Sequence, residues 1–207
     1  LTLGVSYELL KPRIHIIGGS GSGKSYIAAR LAERFGVPVY ELDELFWDRA
    51  TGRYGIRADS AKRDQQLATI VAQDGWIIEG VYYQWLAPSF AVADVIIALT
   101  PSIWIRHWRV IRRFILRKIG KLPSKCESFA DLWRLLRWSH GYEAANLAKA
   151  RKLIAEHGRQ LIECKTFADV LATTETPNNF LEPSAVNAMN PATRSTSQVG
   201  VGSPHGR

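Results

Sequence analysis

At 207 residues, with 46% hydrophobic content, the chain is long enough for one compact core with appendages and ordinary in composition for a globular protein. A net charge of +8 and a pI near 9.7 favour partners rich in phosphate, whether nucleotide, nucleic acid or anionic surface, without choosing among them. The two cysteines, Cys126 and Cys164, exclude a disulfide framework, and neither has metal-ligand spacing around it, so a reducing, cytoplasmic setting is expected. The first ten residues carry no long apolar run behind a basic start, and the uncharged stretch 95–105 contains Pro101 and falls short of the roughly 20 residues of a spanning helix. Neither secretion nor a membrane partner is expected.

The first strand is expected at 13–17, running straight into Gly18-Gly19-Ser20-Gly21-Ser22-Gly23-Lys24-Ser25. A helix should follow over about 24–35. Ile27, Ala28, Leu31 and Phe35 recur at helical spacing, and Gly36 stands where a left-handed C-terminal cap is expected. Further strands are expected at 38–43, 76–79, 94–100 and 160–164. Helical patterns lie at about 61–73, after Pro101, and at about 143–157. Strands alternating with helices predict an α/β fold with a mostly parallel sheet covered on both faces. From 173 onward Thr, Asn, Pro, Ser and Gly dominate, too little apolar surface to offset ordering entropy. The expected organisation is an extension at 1–12, one domain at 13–172 and a disordered tail at 173–207.

The glycine-rich run matches G-x-x-x-x-G-K-[ST] at every fixed position, between a strand and a helix as that motif requires. Its glycines let backbone N–H groups turn inward as an anion-binding nest, and the helix N-terminus adds its dipole. Gly18, Gly19, Ser20, Gly21, Ser22, Gly23, Lys24 and Ser25 are therefore the expected triphosphate-binding residues. Lys24 would reach the β- and γ-phosphates, and Ser25 would be a Mg2+ ligand. No Asn/Thr-Lys-x-Asp segment and no Leu-Ser-Gly-Gly signature is present, which favours ATP over GTP and a small kinase-like domain over a transporter-type ATPase.

Together the phosphate loop, Val39-Tyr40-Glu41-Leu42-Asp43-Glu44-Leu45-Phe46-Trp47, Trp76-Ile77-Ile78-Glu79-Gly80-Val81-Tyr82 and the Arg-rich helix after Thr100 resemble the adenylate-kinase-related P-loop proteins often labelled DNA topology modulation proteins. The resemblance covers about residues 13–171. It implies a nucleoside-monophosphate-kinase-like core: a three-layer P-loop NTPase whose five-stranded parallel sheet has the order 2-3-1-4-5. This chain departs from the pattern by reading Glu79-Gly80 where Asp-Gly is expected, and it lacks the Asp-Gly-Phe-Pro-Arg of adenylate kinases proper, which weakens AMP as acceptor.

Asp43 follows a strand expected to end at the edge of the sheet that carries the phosphate loop, where it could orient an acceptor hydroxyl or hold a magnesium-bound water; a helix N-cap is the alternative. Glu79 ends the run Trp-Ile-Ile, where a carboxylate is expected to approach Mg2+ through water; a surface glutamate at a strand end is the alternative. The helix after Pro101 should place Arg106, Arg109, Arg113 and Arg117 on one face and Trp104, Trp108, Ile111 and Ile115 on another. Between Ile103 and Lys152 thirteen Lys or Arg stand against three Asp or Glu. In a kinase, Arg112, Arg113 and Arg117 would belong to a helical lid over about 103–142, with Arg113 and Arg117 joining Lys24 and Asp43 as catalytic candidates. A solvated basic face is the alternative. Trp133 and Trp138 are expected in packing, Ser128 and Asp131 in a capping box, and His107 and His140 as single histidines.

Three functions follow. The leading one is an Mg-ATP-dependent phosphotransferase with a small acceptor. A DNA-binding protein with a regulatory nucleotide site would use the basic region as a phosphate track. A nucleotide-sensing interaction protein without turnover is the third.

Overall fold

A computed structural model describes residues 11–48, 56–122 and 128–175. Five parallel strands, β1 (Arg13–Gly18), β2 (Val39–Glu41), β3 (Trp76–Gly80), β4 (Val95–Leu99) and β5 (Leu161–Cys164), form one sheet in the order β2-β3-β1-β4-β5. The expected sheet and strand order are therefore present. Around it lie α1 (Lys24–Phe35), α2 (Leu42–Phe46), α3 (Ser60–Val71), α4 (Ala87–Val92), α5 (Ile103–Lys118), α6 (Phe129–Tyr142), α7 (Ala148–Glu156) and α8 (Phe167–Glu175).

The central strands are buried on both faces, which is why β1, β3 and β4 read as near-continuous apolar runs. Side chains nonetheless alternate between two cores. Ile17, Trp76, Ile78, Ile96 and Ala98 pack with Leu67, Phe90 and Ile154, the layer of α3, α4 and α7. Ile14, Ile16, Ile77, Val95 and Ile97 pack with Ile27, Leu31 and Val170, the layer of α1 and α8. His15 points to the first core, where Nδ1 lies 3.2 Å from Ser89 Oγ and the ring packs 4.8 Å from that of Phe90. Complete burial without a charge partner holds its pKa down at about 3, so it is neutral in the fold.

Helix ends follow local chemistry. Gly36 closes α1 with φ +64 and donates its N–H to the Ala32 carbonyl. The Asp59 side chain caps α3 by accepting from the Lys62 N–H. Ser128 and Asp131 form the expected capping box, with Ser128 N 2.9 Å from Asp131 Oδ2 and Asp131 N 3.2 Å from Ser128 Oγ. Three boundaries differ from expectation. β2 stops at Glu41, so Asp43 sits in the first turn of α2 rather than on the strand, and Glu41 occupies the N-cap. The expected helix at 143–157 is the end of a longer unit, since α6 continues through a π-helical turn, Glu143–Leu147, into α7. α8 extends to Glu175 with Thr174 buried, past the composition change at 173. Cys126 and the segments 1–10 and 176–207 lie outside the described residues.

Candidate active site

The strand register brings one edge of the sheet to a single place. Ile17 pairs with Gly80, Glu41 with Glu79, and Gly18 with Leu99, so the loop after β1, the end of β3 and the end of β2 share the carboxyl edge. Neighbours of β1 lie on both sides, β3 towards β2 and β4 towards β5, and the loop emerges where the sheet changes direction. Ligands collect at such a crevice because helix N-termini and strand ends converge there.

At the first turn of α1, Ser25 Oγ donates to Glu79 Oε1 at 2.5 Å, and Lys24 Nζ lies 3.9 Å from Glu79 Oε2. The three residues expected from sequence to handle phosphate and metal are thus in one contact group. Glu79 is buried, and desolvation pushes its pKa up; Lys24 and the Ser25 hydroxyl oppose that shift, while Glu41 and Asp43 add to it. The Glu79 carboxylate and the Ser25 hydroxyl are hard oxygen donors of the kind that Mg2+ accepts, and the Lys24 ammonium beside them adds positive charge without being a ligand. Among the described residues no group of three or more His, Cys, Asp or Glu is arranged to hold a metal.

The other wall of the loop comes from α5 and α6. Gly21 has φ +77, and a side chain there would run into the backbone carbonyl of Arg106. At Gly19 an added Cβ would lie 2.9 Å from Arg106 Nη1 and 3.2 Å from the Tyr142 ring. Arg106 is only 1% exposed and donates Nη2 to the Ser139 carbonyl at 2.9 Å. Arg109 Nη1 donates to the Ser22 carbonyl at 3.0 Å, Ser139 Oγ to the Ser20 carbonyl at 3.3 Å, and Tyr142 Oη to the Val81 carbonyl at 2.9 Å. The π-helical turn begins directly after Tyr142, and such turns recur at functional sites because they re-aim the side chains around them.

Arg106 and Arg109 of α5 therefore build this wall together with Ser139 and Tyr142 of α6. Arg113 and Arg117 lie further along α5 and are half-buried. Helical periodicity groups all four arginines, but the choice among them depends on where α5 crosses the loop. That crossing is a long-range contact with no local signal. Ser139 and Tyr142 escape sequence reading for the same reason. On α5, Val110 and Phe114 are buried, whereas Trp104 and Trp108, expected together on one face, are both exposed. Trp133, expected in packing, is exposed, whereas Trp138, itself 42% exposed, packs its ring 5.1 Å from that of Tyr142. His107 and His140 are not isolated, their ring centroids lying 6.2 Å apart across the α5–α6 contact.

Asp43 is exposed beside the same edge, and its Oδ1 accepts from the Tyr82 hydroxyl at 2.9 Å. The Tyr82 ring stacks on Phe46 at 4.3 Å, with the Arg57 guanidinium over Phe46 at 5.6 Å and the Arg63 guanidinium over Trp85 at 4.6 Å. The carboxylate expected to meet an acceptor is thus held by an aromatic wall that also carries two cations.

No family model matches the chain. An uncharacterized protein of Bacillus subtilis strain 168, YqaC, is 23% identical over 156 residues, covering 75% of this chain and 86% of that protein. Shikimate kinase from Acinetobacter baumannii, solved in complex with shikimate, superposes with a TM-score of 0.51 at 14% identity, covering 89% of this chain and 98% of that one. A sugar kinase from Janibacter sp. HTCC2649 gives 0.48 at 17% identity, over 81% of this chain and 94% of that one. With the sheet order and the placement of the phosphate loop, the likeness to the shikimate kinase structure shows that this chain has the P-loop kinase fold.

Proposed function

We propose that the protein is an Mg-ATP-dependent phosphotransferase of the adenylate-kinase-related kind, transferring a phosphoryl group to a small hydroxyl-bearing acceptor. The observation that carries this reading is the contact of Ser25 Oγ with Glu79 Oε1 at 2.5 Å, with Lys24 beside the same carboxylate. In this reading residues 18–25 wrap the triphosphate, and Lys24 neutralises its outer phosphates. Ser25 and Glu79 hold Mg2+, which when bound neutralises charge on the transferring group. Arg106 and Arg109 keep the loop in its binding shape and supply positive charge at its outer wall. Arg113 and Arg117, on the same helix, belong to a lid over about 103–142 that excludes water when it closes.

Asp43 orients the acceptor hydroxyl, and the Tyr82 hydrogen bond fixes its carboxylate. Positioning and charge neutralisation are the main catalytic contributions in phosphoryl transfer, so a site of this composition is sufficient. The kinase from Acinetobacter baumannii binds shikimate, a small molecule, on the same fold, which supports a small-molecule acceptor here as a class.

The reading is tested by titrating ATP with and without Mg2+ into wild type and Lys24→Ala, then following ADP release against a pooled library of sugars, hydroxy acids and nucleosides. Acceptor-stimulated release in wild type alone supports it. Mg-ATP binding that leaves every acceptor untouched counts against it.

A further inference from the structure

We propose that the α5–α6 hairpin carries a surface that docks peripherally on an anionic lipid membrane. Trp104, Trp108, Ile115 and Ile119 recur at helical spacing along one side of α5 and are all exposed, Trp104 at 78% and Trp108 at 64%. Arg106 projects from the opposite side into the phosphate-loop wall beside the buried Val110 and Phe114, so the helix already has an inward face and the tryptophan stripe is a second apolar surface turned outward. On α6, Phe129 and Trp133 add two more exposed rings, the latter at 69%. Large aromatic and aliphatic side chains left in water over so much of one hairpin mark an interaction site, since scattered single residues would not cluster in this way.

Charge selects the occupant. Of the nine Lys or Arg at 103–122 and 128–142, Arg106 and Arg109 are taken up by the loop wall, but Arg112, Lys118, Lys121, Arg134 and Arg137 are exposed, against one acid, Asp131. Arg112 and Lys118 are exposed on the two flanks of the α5 stripe. A second copy of the chain would bring like charge against like charge, which opposes self-association through this face. Nucleic acid would use the cations and could stack on the indoles, but it offers nothing to Ile115 and Ile119. A lipid surface takes all three components: indoles at the headgroup level, branched aliphatics at the acyl boundary, and guanidinium and ammonium groups on lipid phosphates. No described helix is long and apolar enough to cross a membrane, and surface docking requires none.

The test is flotation of the full chain with vesicles of phosphatidylcholine alone or phosphatidylcholine containing phosphatidylglycerol, at low and high salt, together with the tryptophan emission maximum. Wild type should float with the anionic vesicles, shift its emission to the blue, and release as salt rises. The double variant Trp104→Ser/Trp108→Ser should lose at least about tenfold in partitioning, with an unchanged circular-dichroism melt. Arg112→Gln/Lys118→Gln should weaken binding to anionic vesicles and leave the weak binding to neutral ones as it was. The inference is overturned if wild type does not float with anionic vesicles at low salt, or if the tryptophan variant floats as well as wild type. It is equally overturned if these tryptophans prove to support a light-scattering dimer or binding to a DNA oligonucleotide instead of vesicle binding.

Discussion

Ser25 Oγ and Glu79 Oε1, from the first turn of α1 and the end of β3, meet at 2.5 Å under the phosphate loop. Burial raises the Glu79 pKa above its ordinary value, so between the unfolded and folded values the native state binds more protons. This contribution to stability is present at low pH and is lost as pH rises through the folded pKa. Glu79→Gln should therefore flatten that part of the pH–stability curve and raise the melting temperature of the nucleotide-free protein at pH 8. The same variant should lower the Mg2+ dependence of ATP binding by about tenfold, since it removes the carboxylate from the proposed metal set. Calorimetric melts across pH and ATP titrations with and without Mg2+ check both halves.

Arg106 and Arg109 support the same loop at different depths. Arg106→Ala deletes a buried guanidinium that bonds the Ser139 carbonyl, and should cost about 3 kcal/mol in urea denaturation. Arg109 is exposed, so Arg109→Ala should leave the denaturation midpoint nearly unchanged while lowering ATP affinity about fivefold through a looser loop. Equal effects of the two variants on both measurements would contradict this division.

Two left-handed glycines offer a controlled comparison. Gly36 has open space around a built Cβ, so Gly36→Ala carries only the left-handed backbone cost, about 1 kcal/mol, and should not change nucleotide binding. Gly21 has the same backbone handicap and faces the Arg106 carbonyl, so Gly21→Ala must displace α5 from the loop. It should reduce ATP affinity at least about tenfold. Titration calorimetry on the two variants separates backbone strain from the contact with α5.

His15 sets an acid limit on stability. Its folded pKa of about 3 lies below the unfolded value of 6.5, so the unfolded chain binds the extra proton between them. The stabilisation relative to a charged histidine is complete above the unfolded pKa and declines as pH falls towards 3, at about 1.4 kcal/mol per unit of pH. Urea midpoints should fall between pH 7 and pH 4 in wild type and fall less in His15→Leu.

Much of this arrangement is readable in the residues themselves. The phosphate loop and α1 could be placed because glycine spacing, Lys24-Ser25 and an apolar helical repeat all point to one local structure. Strand positions could be read from apolar runs, and so could the place of Glu79 at the end of one, though not its burial. Each departure has its own physical source. Periodicity shows that α5 is two-sided but not which side meets the protein, and here Arg106 enters the loop wall beside the buried Val110 and Phe114 while Trp104 and Trp108 face solvent. Asp43 moved from strand to helix because β2 is an edge strand of three residues that ends as soon as its neighbour β3 stops pairing with it. The single unit from α6 to α7 was hidden because a π-helical turn shifts the repeat partway along.

The most direct measurement is transfer of label from γ-labelled ATP. Wild type, Lys24→Ala and Asp43→Asn are incubated with Mg2+ and a small-molecule acceptor pool, and the products are separated from nucleotide and phosphate. The account predicts label in an organic product with wild type, none with Lys24→Ala, and a rate lowered at least about a hundredfold with Asp43→Asn at little cost in ATP affinity. Tight Mg-ATP binding by wild type with all released label appearing as inorganic phosphate, whatever acceptor is present, would contradict it.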